Sequence, residues 1–423
     1  MRVVHFAVTP LAGAPLRLVR ALNAHLPGCT ARLVDLTRYG SEDFGQDVVF
    51  DETPDLAREL AEQADILHFH NYLDLDSRHF APIDFRALAE RGAPPKKNVL
   101  AVRQFHSEPG LVAARMGITP AALLAQPIPA LVVGQFQERC YPRARVVPNP
   151  LPIDDADYLP HDPAVHSPLR HDVFLSPTRL HSAWADRWNT KARPEAEAVV
   201  RAACLPRGAS WHLVHRTPLA QTLAAKRLAR IVVDDLVTGS CHLTGLEGLA
   251  QGKPVLAHLD GRCRRVLAHM ADTDAYPTDT YPTDACPFVD VRLEDAAHVL
   301  GYLLDHPDEA QEVGRAARGW MEAHWRPERI AAVYGAAYAS LARDPVAAAR
   351  NWRQPDLALD GPAERFFAVT LPDLVHTARR GAARREAAQR GAAQGTDVAP
   401  HDAASPSPGA PAAAIATIPG DRA

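Results

Sequence analysis

The stretch ARIVVDDLVTGSCHLTGLEGLAQGKPVLAHL, residues 229–259, reads as one strand–helix–strand unit. ARIVVDD is short, β-branched and apolar through its centre, as expected of a strand buried on both faces. Gly239-Ser240 loosen the chain before a segment of helical period. Glu247 lies about one turn into that helix, Gly252 ends it, and PVLAHL is a second buried strand. Two parallel strands joined through a helix form a crossover unit, and such units stack into a parallel sheet with helices on both faces.

The same alternation extends outward in both directions. VVHFAV (3–8), ARLVDL (31–36), DILHFH (65–70), NVLAVRQF (98–105) and ALVVG (130–134) read as strands. Helical segments are expected at Pro15–Leu26, Leu56–Glu62 and Phe85–Arg91. VVPNPLPIDDADYLP (146–160), with its prolines and aspartates, breaks the pattern and reads as a linker. The alternation restarts with VFLSPTR (173–179), a helix near Pro194–Ala203, WHLVH (211–215) and a helix from Pro218 to Leu228. So many strands are more than one open sheet usually holds. The expected architecture is therefore α/β, with two doubly wound domains at 1–160 and 161–325. A helix follows at 326–342. A tail from 343 to 423 is expected to be largely disordered, because it ends in Ala, Pro, Ser and Gly with few large apolar residues.

Composition narrows the function classes. The chain has 423 residues, 47% hydrophobic and 23% charged, with a net charge of -4, so there is no overall bias toward nucleic acid. Six cysteines are scattered without a Cys-x-x-Cys pair, which suits free thiols in a reducing compartment. No apolar run approaches the roughly 20 residues of a membrane span. The expected location is cytoplasmic. Lysine occurs only at 96, 97, 191, 226 and 253.

Doubly wound domains bind ligands at the carboxyl ends of their strands, and phosphates favour helix N-termini. After the first strand, Gly13 sits at a turn before a helix, as an ordinary turn or as a ligand-facing loop. Gly-x-Gly-x-x-Gly is absent, which argues against a dinucleotide site of the usual kind. Arg179 and Lys191 follow the first strand of the second half. They are either surface cations or a clamp for a diphosphate, the arginine as a planar fork and the lysine as a point charge. In the opening stretch, Gly239, Ser240, His242, Leu243 and Thr244 lie where a helix start can present N–H groups to a phosphate or a sugar hydroxyl. Glu247 is either a favourable acid in a first turn or an acceptor for ribose hydroxyls. The repeat YPTDTYPTDA (276–285) lacks metal-ligand spacing and reads as a solvated loop, and no metal site is expected.

LTGLEGLAQGKPVLA together with Arg179 and Lys191 resembles the GT-B-fold glycosyltransferases, in particular the large retaining group called family 4. The resemblance spans roughly residues 1 to 340. It implies two Rossmann-like domains facing across a cleft, the first for the acceptor and the second for the nucleotide-sugar donor. The helix at 326–342 would cross back to the first domain. It implies that Glu247 binds the ribose and that Arg179 and Lys191 bind the donor diphosphate. FHNY (69–72) and QFHSEPG (104–110) resemble family segments near the acceptor and suggest His70 and His106. One position departs: the family's Glu-x7-Glu signature places its first Glu at residue 239, which is glycine here. Asp234 and Asp235 are the nearby acids that could substitute.

The expected function is transfer of a sugar from a nucleoside diphosphate sugar to an acceptor hydroxyl, with retention implied by the resemblance, without a metal or a cofactor. The acceptor is a glycan, a lipid-linked molecule or a small molecule. Alternatives are a nucleotide-sugar epimerase on the same fold and a nucleotide-sugar-binding subunit without turnover. A basic cluster at Arg379, Arg380, Arg384, Arg385 and Arg390 follows the apolar FFAVTLPDLV (366–375). It is either a solubilising tail or a peripheral contact with the inner membrane face.

Overall fold

The computed structural model describes residues 1–40, 44–90, 99–162, 164–177, 180, 191, 193–271 and 287–352. Short apolar segments pair in parallel wherever a helix separates them in sequence. The first sheet takes β1 (Arg2–Ala7), β2 (Thr30–Asp35), β3 (Val48–Val49), β4 (Ile66–His70), β5 (Leu100–Phe105), β6 (Ala130–Val133) and β7 (Ala144–Val147). Their spatial order is β3-β2-β1-β4-β5-β6-β7. The helices between them are α1 (Ala14–His25), α2 (Pro54–Gln63), α3 (Phe85–Ala89), α4 (Pro109–Met116) and α5 (Pro120–Ala125).

Alternation along these strands feeds two core layers, since successive side chains point to opposite faces. Val3 and Ala7 of β1 join α1 residues such as Leu18 and Leu22 on one side. Val4 and Phe6 join Ala57 and Ala61 of α2 and Phe85 and Leu88 of α3 on the other.

The second sheet contains β8 (His171–Leu175), β9 (Trp211–Leu213), β10 (Ala229–Val233), β11 (Val255–Ala257) and β12 (Val289–Asp290), in the order β12-β11-β10-β8-β9. It carries α6 (Arg193–Cys204), α7 (Leu219–Arg227), α8 (Leu243–Ala250) and α9 (Gly261–Ala271). Then come α10 (Leu293–Asp305), α11 (Pro307–His324), α12 (Pro327–Arg343) and α13 (Pro345–Asn351). The strand expected at 173–179 stops at Leu175. Pro177 has no N–H for a ladder and pushes Ser176 out of register with it.

The segment at 146–160, expected as a linker, is packed against the core. Val146 and Val147 lie in β7, and Leu151, Ile153 and Tyr158 are buried in the core. Trp325 Nε1 donates to Asn149 O at 3.0 Å, and Arg318 Nη1 donates to Ile153 O at 2.9 Å. Apolar residues between the prolines had contact area to gain by packing, and the helices that follow the second sheet supply the surface. Within the segment expected as a tail from 343, the first residues form α13. Asp344 caps α13 by accepting from Ala347 N at 2.8 Å, and Ala348 and Trp352 are buried. The residues beyond 352, including the basic cluster, lie outside the described residues, as does the YPTD repeat.

The last long helix, α12, buries Ile330, Ala331, Tyr334, Ala337, Tyr338 and Leu341, a stripe at three- and four-residue spacing. It packs on α1 of the first lobe. Both sheets belong to one compact unit.

Candidate functional site

A doubly wound sheet opens a crevice where its strand order reverses, outside the carboxyl ends of the two strands there. In the second sheet that point lies between β8 and β10. Lys191 is the described residue just ahead of α6, and the loop leaving β10 runs through Asp234 to His242 into α8. Arg179 lies outside the described residues. Lys191 meets Thr244 there, while Ser240, His242, Leu243 and Glu247 lie on the loop and helix that follow β10.

Their contacts are specific. Lys191 is buried and donates from Nζ to Thr244 Oγ1 at 2.8 Å. Burial lowers its pKa, and neighbouring Lys226 adds to this, while Asp234, Glu247 and Asp235 oppose it. Glu247 is 3% exposed and its Oε2 accepts from Lys226 Nζ at 2.5 Å. Lys226, on α7, is fully buried and also donates to Thr244 O at 3.1 Å. Lys226 was not anticipated as a site residue. The scarcity of lysine was visible in the sequence, but the partners of Lys226, 18 and 21 residues further on, were not.

The start of α8 is less open than expected. His242 N–H is taken by Asp234 Oδ2 at 2.7 Å, and His242 Nε2 lies 3.0 Å from Asp235 Oδ2. Asp235 also accepts from the N–H groups of Val237 and Thr238 and from the Thr238 hydroxyl. Burial pushes the Asp235 carboxyl up, but the contacts with His242 and Thr238 outweigh it and hold it below the ordinary carboxylate value. Asp234 and Asp235 thus organise the 237–242 turn. Ser240 is buried, with its hydroxyl toward Cys241 O at 3.3 Å.

Gly239 has φ +78°, and a Cβ there would lie 3.1 Å from Asp260 Cβ and Oδ2. A side chain at 239 would be strained by the left-handed backbone and would crowd Asp260. The carboxylate beside this position is that of Asp260, which accepts from Arg139 Nη1 at 2.7 Å and from Cys263 N at 2.8 Å. Asp260 was missed in the sequence because it follows β11 and meets Gly239 only through the fold.

In the first sheet the order reverses between β1 and β4. Gly13 (φ +74°) caps α1 there in the left-handed conformation. His70 ends β4, but it is 1% exposed. Its side chain points into the layer shared with α1 and α12. A chain of imidazoles fills that layer. His5 Nδ1 and His70 Nε2 are 3.1 Å apart, and His70 Nδ1 and His106 Nε2 are 3.0 Å apart. His68 Nδ1 is 2.8 Å from the Tyr338 hydroxyl of α12. Burial holds His5 and His106 down to about 3. Burial, then the neighbouring histidines, hold His68 and His70 well below the ordinary value, the Gln104 side chain slightly opposing this at His68. His106 is half-buried, and its N–H donates to Asn71 Oδ1 at 2.7 Å. His5 and His68 were not singled out in the sequence, although His68-x-His70 on one strand puts both rings on one face. A groove of about 1010 Å³, lined by residues such as Leu100, Leu123, Ile128 and Val346, includes none of the expected site residues.

The two doubly wound sheets, with α12 returning to the first, define the two-domain Rossmann-like GT-B architecture. Several solved glycosyltransferases are similar to the chain. Sucrose-phosphate synthase from Thermosynechococcus elongatus is 14% identical over 81% of this chain and 99% of that one, with a TM-score of 0.48. Anabaena HepE, in complex with UDP and glucose, is 12% identical over 81% and 100%, with a TM-score of 0.48. The catalytic domain of starch synthase IV from Arabidopsis thaliana, bound to ADP and acarbose, is 13% identical over 80% and 99%, with a TM-score of 0.47. Likenesses of this size do not transfer a reaction, a base or a sugar to this chain. No family model and no curated protein matches the sequence. Among the described residues no helix is long and apolar enough to cross a membrane.

Proposed function

We propose that the chain is a glycosyltransferase that moves a sugar from a nucleoside diphosphate sugar to an acceptor hydroxyl. The lobe of residues 161–325 would hold the donor, and that of residues 1–160 would hold the acceptor. The observation that carries this reading is the convergence of Lys191, Thr244 and the N-terminal end of α8 at the switch point between β8 and β10. A cation and a helix start at that place suit a diphosphate.

In the transfer step the bond from the sugar's anomeric carbon to the diphosphate oxygen breaks. The acceptor oxygen bonds to that carbon, and the acceptor hydroxyl's proton passes to an oxygen of the leaving diphosphate. Charge builds on the leaving diphosphate, where Lys191 stabilises it, aided by Arg179 as read from the sequence. No metal is needed at the phosphates in this scheme, and no cofactor. Glu247, held by Lys226, would accept from the ribose with its remaining acceptor capacity. Retention of configuration belongs to the same reading, with Asp260 as the carboxylate beside position 239.

A thermal-shift panel of nucleoside diphosphates tests this. A ligand at about 100 times its dissociation constant adds about 2.7 kcal/mol to the folded state. At least one nucleoside diphosphate is expected to raise Tm, and Lys191→Ala is expected to weaken it more than the matching nucleoside. No stabilisation by any of them at millimolar concentration would overturn the reading. Equal losses for nucleoside and diphosphate would remove Lys191 from the phosphate role.

A further inference from the structure

The imidazole layer between β1, β4 and α12 can hold more than packing. We propose that His5, His68 and His70 form a buried site for one divalent transition metal of the zinc class, independent of the donor crevice. One nitrogen from each of the three residues lies within 4.8 Å of the others. Parallel pairing places His5 directly opposite His68, and His70 follows two residues later on the same face. The three ligands therefore come from two rigid neighbouring strands.

The hydrogen bonding selects which nitrogens point inward. His68 Nδ1 is engaged by Tyr338 and His70 Nδ1 by His106, which leaves the Nε2 atoms of both for an ion. Outer partners that orient ligating histidines in this way are the usual support of a metal site. His70 Nε2 already lies 3.1 Å from His5 Nδ1, close to the separation of about 3.3 Å that two zinc–nitrogen bonds of about 2.0–2.1 Å impose at a tetrahedral angle. Bringing the widest pair to that spacing takes about 1.5 Å of closure, within the reach of ring rotation.

Unmet polar capacity points the same way. His5 Nε2 and His68 Nε2 are buried without a hydrogen-bond partner, and so is Oε1 of Gln104. Gln104 pairs with His70 across β4 and β5, while its Nε2 donates to Tyr334 of α12. Its free oxygen is available as a fourth ligand. Buried polar atoms without partners are costly in an interior, and an ion bound through His5 Nδ1 would satisfy His68 Nε2 and, as a fourth ligand, Gln104 Oε1. Three neutral imidazoles suit zinc, copper, nickel or iron(II) rather than magnesium or calcium. The ion would tie β1 to β4 beneath the first sheet's switch point and, through Tyr338 and Tyr334, dock α12.

The experiment supplies Zn²⁺ to the full chain, passes it through a desalting column with a weak chelator, and measures retained metal and Tm. About one equivalent of zinc is expected, with a higher Tm than the chelator-stripped protein. His5→Gln and His68→Gln should each lose the ion, whereas changing the near-surface pair His161 and His166 to alanine should not. If the buried variants fail to fold, X-ray absorption on the zinc-loaded wild type decides. Three imidazole nitrogens at about 2.0–2.1 Å support the site, and a shell of oxygen ligands overturns it. Absence of retained zinc in the wild type, or equal retention in folded His5→Gln and His68→Gln proteins, also overturns it.

Discussion

Lys226 and Glu247 show what burial does to a single charged pair. Both side chains are buried, so each charge depends on the other, and Lys226 Nζ donates in addition to Thr244 O. Removing one partner from a buried pair typically costs about 3–5 kcal/mol, whereas replacing both with apolar groups of similar volume can be nearly neutral. Lys226→Met is therefore expected to lower stability by that amount in chemical denaturation. Lys226→Met combined with Glu247→Leu is expected to recover much of the loss yet still fail to bind nucleotide. A double variant no more stable than the single one would show that the pair is not what holds α7 to α8. Asp35, at the end of β2, carries a different signature. Burial raises its carboxyl from 3.8 to about 6, against the opposing hydrogen bonds from Tyr39 and Gln46. The folded state therefore binds this proton more tightly than the unfolded chain. Its contribution is complete below about pH 4 and is lost as pH rises through about 6, on the order of 3 kcal/mol. Asp35→Asn should flatten that part of the stability profile relative to wild type, and an unchanged slope between pH 4 and 7 would contradict the assignment.

At the scale of elements, α12 and α13 are the informative pieces. The helical stripe of α12 is legible as a period of three and four. That the stripe carries two tyrosine hydroxyls aimed at His68 and Gln104 is not legible, because those partners lie some 230 to 270 residues earlier. For α13 the sequence is misleading. PVAAARNW is short and alanine-rich, and resembles the start of a loosening tail. Trp352 at its end is 7% exposed, however, and belongs to the main core together with Ala348. Loss of a buried tryptophan side chain costs about 3–5 kcal/mol. Trp352→Ala in the full chain is expected to lower the unfolding free energy by that amount, measured from the denaturant midpoint at constant slope. A change below about 1 kcal/mol would mean that this helix adds little to the core.

Across the whole molecule, one hydrophobic cluster runs through both sheets. It includes Val3, Ile66 and Val102 of the first, Phe174 and Val232 of the second, and Met321, Trp325 and Tyr338 from the helices that follow. Buried ion pairs add to it, with Arg262 Nε donating to Glu138 Oε1 at 2.9 Å and Arg139 reaching Asp260. Multidomain proteins often unfold in separate steps. Here the shared core predicts a single calorimetric transition in the absence of ligand. Two resolved transitions, one per sheet, would refute that coupling.

The strands, the long helices and their alternation follow from local patterning, since a segment buried on both faces has to be apolar throughout and a covering helix has to carry a stripe. Lys191, His242 and Thr244 could be placed near the start of α6 and α8 for the same reason, since chain order sets where those elements fall in a doubly wound sheet. What local sequence could not hold was distance. Asp260 beside Gly239, Lys226 against Glu247, the packing of residues 146–160, and the meeting of His5 with His68 and His70 all join residues far apart in the chain. Such contacts carry no periodicity or spacing signal. They exist because parallel strand pairing and helix docking bring separate elements to one place, and only the tertiary structure decides which side chains then meet.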